Sequence, residues 1–136
     1  MKGGFIMKKR CFMVMVMCFI LLFGAITAYA ASATGSYEFS NAEVKVNQGV
    51  SFVYGPLTIQ DKYWGNASIS GKDSDAASVK VKGWTSKRAD IISKTLNYKD
   101  KSVSVSKVSC GYGQSWGKIS VTFENKTHTI TANDPN

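Results

Sequence analysis

The segment GKISVTFENKTHTITA, residues 117–132, constrains the fold most. Ile119, Val121 and Phe123 alternate with Lys118, Ser120, Thr122 and Glu124, and a second alternating run follows Asn125-Lys126. A period of two places one set of side chains on an apolar face and the other in water, which a helix cannot do. With Asn125-Lys126 as a two-residue turn, Phe123 faces His128, Val121 faces Ile130 and Ile119 faces Ala132. The segment is therefore expected to be a β-hairpin.

The same pattern recurs upstream. Glu43-Val44-Lys45-Val46 and Ala77-Ser78-Val79-Lys80-Val81-Lys82 alternate plainly. Strands are expected over 37–46, 50–54, 57–62, 67–70 and 78–84, with turns at Asn47-Gln48-Gly49, Gly55-Pro56 and 71–75. A second hairpin is expected around Asp100-Lys101, pairing Tyr98 with Val103 and Leu96 with Val105. Beyond it the apolar phase slips to Val108 and Cys110, as a bulge near Ser106-Lys107 would make it do. Residues 85–96 read as a strand from Asp90 onward or as a short helix capped by Ser86, and the strand is preferred. About eight short strands in one domain give an all-β fold. The expected form is a small antiparallel β-sandwich, immunoglobulin-like or a similar Greek key, with a small β-barrel as runner-up.

The N-terminus has a different character. Lys8, Lys9 and Arg10 precede the uncharged apolar run 12–23, and Ala28-Tyr29-Ala30 has the small-x-small form of a cleavage site. Residues 1–30 are expected to be a secretory signal peptide, cut after Ala30, or after Ala33 in the overlapping Ala31-Ser32-Ala33. The run is short for a membrane span, and none is expected after cleavage. The codons of Lys2-Gly3-Gly4 can read as a bacterial ribosome-binding site, which would put the start of translation at Met7 in a Gram-positive host; the alternative is a start at Met1 with these residues as part of a long n-region. Residues 31–136 then form one secreted domain, with 31–36 as a loose arm. Four of the 17 Lys and Arg residues lie in the first thirty; 13 remain against 9 acidic residues, a net charge of +4. That balance suits an extracellular protein that meets anionic polymers, and with export it argues against nucleic acid.

Cys11 and Cys18 would leave with the leader, so Cys110 has no partner for a disulfide. Cys110 and His128 are the one nucleophile and base that the expected domain offers. The stretch CGYGQSW, residues 110–116, is distantly similar to the papain-type Cys-Gly-Ser-Cys-Trp motif. Ser115 stands where that nucleophile would be, so the likeness implies no protease. Strand phase instead makes Cys110 a buried apolar residue. Asp61, Asp73, Asp75 and Asp134 offer oxygens to calcium, but no loop has the spacing of a dedicated site. No cofactor is expected.

Aromatic residues beside glycine and lysine carry the functional expectation. Trp64, Tyr112 and Trp116 lie in expected loops and form the first candidate ligand site. Trp84 falls on the Lys80 and Lys82 face of its strand, and the three form a second patch. The expected function is non-catalytic binding, at the cell surface or in the medium, of a cell-wall polymer, a glycan, another anionic surface or a protein. The alternative is a secreted antibacterial or toxin protein: size, charge and aromatic-glycine loops are similar in a general way to the lactococcin-like bacteriocins. An extracellular enzyme using Cys110 and His128 is the third reading.

Overall fold

The computed structural model describes residues 27–39, 42–55, 59–71 and 77–136. Residues 28–53 and 59–136 make up one compact unit, which carries the strands below apart from the terminal residues Thr27 and Tyr54. They are β1 (Thr27–Phe39), β2 (Ala42–Tyr54), β3 (Asp61–Gly71), β4 (Val79–Thr85), β5 (Ile92–Leu96), β6 (Ser102–Gly111), β7 (Trp116–Phe123) and β8 (Lys126–Asn133). They form two four-stranded sheets. Sheet A has the order β1-β2-β3-β6 and sheet B the order β5-β4-β7-β8. The fold is the expected all-β sandwich. The barrel is ruled out, because each sheet keeps two free edges instead of closing. The links are of the Greek-key kind: β6 returns beside β3, and β7 returns beside β4.

The sheets face each other edge for edge. Tyr37 of β1 stacks on His128 of β8 with ring centroids 4.4 Å apart, and Phe39 meets Phe123 at 5.0 Å. Between the layers, alternate residues are buried: Val44, Val46, Val50 and Phe52 from β2, Val79 and Val81 from β4, Ile119 and Val121 from β7. Each such burial stabilises by about 1.5–3 kcal/mol before the entropy of ordering is counted. Tyr63 lies fully buried in the middle, and its Oη donates to the Lys118 carbonyl at 3.3 Å. Glycines make room for it: a Cβ at Gly65 or Gly83 would come within 2.9 or 2.8 Å of that Oη. Burial holds the Tyr63 phenol well above the ordinary tyrosine range.

Several expectations are corrected. Asn47-Gln48-Gly49 is not a turn but the centre of β2. Gln48 faces the core, where its Nε2 donates to the carbonyls of Gly117 (2.9 Å) and Ile130 (3.3 Å). Gly49 faces outward beneath the Trp64 indole, where a methyl group would overlap the ring. The arm expected at 31–36 is part of β1. There Ala31, Ala33, Gly35 and Tyr37 are half-buried while the residues between them are exposed, an alternation too weak in hydrophobicity to read from sequence. The hairpin expected at Asp100-Lys101 does not form: β5 and β6 lie in different sheets. Asn97 Oδ1 accepts from the backbone N–H groups of Lys99 and Asp100 (2.9 Å each) and turns the chain across the sandwich. Leu96 therefore pairs with Val79, and Val105 with Gly65.

The C-terminal hairpin forms with a different turn. Glu124 and Asn125 are its two central residues, with φ of 44° and 66°, so Phe123 pairs with Lys126, Val121 with His128 and Ile119 with Ile130. The shift is even, and each residue keeps its expected face. The bulge is where the phase predicts it: between Val105 and Val108 β6 carries one more residue than β3, and Lys107 takes φ of 50°. Residues 85–96 contain β5 as a strand and no helix.

Candidate functional site

The outward side of sheet B follows from its inward side. Gly83 and Gly117 point inward, since a Cβ on either would meet Tyr63. Their neighbours Trp84, Trp116 and Lys118 therefore point out. The ladder sets Trp84 opposite Lys118, Lys82 opposite Ser120 and Lys80 opposite Thr122. On the flanks, Lys82 pairs with Ser93 and Lys80 with Thr95 of β5, while Lys118 pairs with Thr131 and Ser120 with Thr129 of β8. The result is a face of serines and threonines, with Ser120 buried at its centre, crossed by three lysines and two indoles. None of the four strands contains an aspartate or glutamate.

Trp116 and the patch of Trp84, Lys80 and Lys82, two separate expectations, thus lie on one face. Lys118 joins them, with its Nζ 4.4 Å from the centroid of the Trp116 ring. The sequence reading missed this lysine as a site residue. The signal was there, since Trp116, Lys118 and Ser120 share one phase, but only pairing with β4 brings Lys118 beside Trp84. Lys80, Lys82 and Lys118 form no ion pair among the described residues, where the ion pairs are Lys45–Glu43 and Lys94–Asp100. At the β5 side the face ends in a groove of about 290 Å³, lined by Lys82, Gly83, Trp84, Ala89 and Asp90.

Trp64 and Tyr112 are not brought to Trp116. Trp64 lies in β3, not in a loop, on the outward side of sheet A, half-buried across Gly49. Tyr112 is 47% exposed in the loop between β6 and β7, and its carbonyl accepts from Lys87 Nζ at 2.9 Å. That loop has a buried polar anchor. The Asp61 carboxylate accepts from the backbone N–H groups of Val53 (2.8 Å) and Gln114 (2.9 Å). Gln114 Nε2 donates to the Cys110 carbonyl at 2.7 Å, and its Oε1 accepts from the Lys87 N–H at 2.9 Å. Asp61 is thus committed to the backbone. Asp73 and Asp75 lie outside the described residues.

Cys110 and His128 are also kept apart. Cys110 ends β6, an edge of sheet A, and is 3% exposed, with its Sγ donating to the Asp61 carbonyl at 3.2 Å. His128 sits on β8, stacked on Tyr37 of β1, at the opposite edge of the sandwich. Burial first, and the Asp61 charge second, push the Cys110 thiol up to about 11. Both effects disfavour the thiolate, and His128 is not beside it to take the proton.

A scan against models of protein families, a search of curated proteins and a search of solved structures each found no match to the chain.

Proposed function

We propose that the chain is an exported, non-catalytic binding module whose sheet B face takes an anionic polymer of the bacterial cell surface. The observation that carries the reading is the face whose strands hold no acid and on which Lys80, Lys82 and Lys118 alternate with Trp84 and Trp116. Successive outward positions of one strand lie about 7 Å apart. Lys80 and Lys82 thus offer a row of unpaired cations to a chain of regularly spaced anions, and the indoles supply planar apolar surface beside them. The leader expected over 1–30 fits the same reading, because it delivers the protein to where such polymers are found.

The test is binding of the purified protein to isolated Gram-positive cell walls across a salt series. Affinity should fall steadily as salt rises. The combined Lys80→Gln, Lys82→Gln and Lys118→Gln variant should lose about tenfold or more with its unfolding midpoint unchanged. Binding indifferent both to salt and to these lysines would overturn the reading. Growth inhibition of neighbouring strains by a protein that ignores their walls would favour the antibacterial alternative.

A further inference from the structure

The groove at the β5 side of the face contains a group that a purely cationic site would not keep. Asp90 lines it together with Lys82 and Trp84, yet Asp90 and Lys82 form no ion pair with each other. The Asp90 backbone is at φ of 53°, a conformation that side chains other than glycine rarely adopt. Neighbouring bonds hold it there. Ile91 N–H donates to the Gly83 carbonyl, and Thr85 N–H to the Arg88 carbonyl, each at 2.9 Å. Arg88 N–H donates to Thr85 Oγ1 at 3.2 Å. The β4–β5 loop is thereby fixed in a shape that brings Asp90 into the lining of the same groove as Trp84 and Lys82. A non-glycine residue held in such a conformation by its surroundings is a reason to look for function.

We infer that this groove is a subsite for one sugar ring of the polymer, so that the ligand is an acidic polysaccharide and not a bare polyanion. The inference rests on the binding reading above and narrows it. A bare polyanion would gain nothing from Trp84 and would be repelled by Asp90. A sugar ring uses all three groups. Its C–H face packs on the indole, a pair of its hydroxyls donates to the Asp90 carboxylate, and an acidic substituent on it or on the next ring meets Lys82. The size agrees, since about 290 Å³ holds one ring and leaves the rest of the chain to run along Lys80 and Lys118.

The experiment compares three probes by titration of the purified protein at one ionic strength: polygalacturonate, polyphosphate of matched charge, and neutral dextran. Polygalacturonate should bind at least about tenfold more tightly than either of the others. Asp90→Gly suits the existing backbone and removes the carboxylate with its methylene. It and Trp84→Phe should each weaken polygalacturonate about fivefold or more, and Asp90→Gly should leave polyphosphate binding unweakened. Equal binding of the two polyanions, or a groove variant without effect on polygalacturonate, overturns the subsite and leaves the anionic-polymer reading in place. Dextran binding as tightly as polygalacturonate overturns both, as does failure of every probe to bind.

Discussion

Cys110 is 3% exposed at the end of β6, with its Sγ turned to the Asp61 carbonyl. Its ionisation is therefore linked to folding. The thiol titrates near 9.0 when unperturbed and is pushed up to about 11 in the fold, with burial as the largest cause. The folded state keeps its proton to higher pH than the unfolded state does. The stabilising contribution is fully present below about pH 9 and is lost as pH rises to about 11. Urea unfolding from pH 8 to 11 should show stability falling over that window, and Cys110→Ala should flatten the fall. A wild-type curve no steeper than that of the variant would mean that the thiol is already free to ionise in the fold. The strand phase that assigned Val108 and Cys110 to a buried face was enough to read this residue. Asp61 was not legible, because a carboxylate between Gln60 and Lys62 looks solvated until the N–H groups of Val53 and Gln114 are brought to it.

At the scale of elements, the C-terminal hairpin separates what alternation determines from what it does not. The faces of β7 and β8 follow from the period of two, and an even shift in pairing leaves them unchanged. The turn is a local choice, and it falls on Glu124-Asn125 with both φ positive. Glu suits the first of these positions poorly, whereas Asn followed by Gly suits the pair best. Replacing Glu124→Asn together with Asn125→Gly should stabilise the protein by about 0.5–1 kcal/mol, read as a higher urea midpoint at unchanged slope. A lower midpoint would show that the turn does not have this geometry in solution. The bulge at Lys107 was legible because a bulge shifts apolar phase. Asn47-Gln48-Gly49 was not, because its strand conformation is imposed from outside: Gln48 by carbonyls on β7 and β8, Gly49 by the Trp64 ring.

At the scale of the molecule, the sandwich could be expected from the number of short alternating runs, but the assignment of strands to sheets could not. Alternation says which side of a strand is apolar and nothing about which sheet it joins. The separate expectation of Trp116 from Trp84, Lys80 and Lys82 came from this gap, and only the β4–β7 ladder makes them one surface. The same gap concealed β1, whose small residues gave no apolar signal, and this bears on where a chain exported as proposed would begin. Thr27–Ala30 are exposed throughout, so a cut after Ala30 should change stability by no more than about 0.5 kcal/mol. A cut after Ala33 would remove the half-buried Ala31 and Ala33, and with Ala31 the carbonyl that lies 2.6 Å from where a Gly49 Cβ would stand. A chain starting at Thr34 should be less stable than one starting at Ala31 by about 1–2 kcal/mol, from lost ladder hydrogen bonds and apolar burial. If the chain is exported as proposed, its intact mass in the medium should then correspond to Ala31 at the N-terminus, where the whole inward-facing part of β1 is kept. If the two chains unfold at the same urea concentration, β1 contributes nothing before Thr34, and the second Ala-x-Ala would serve as well as the first.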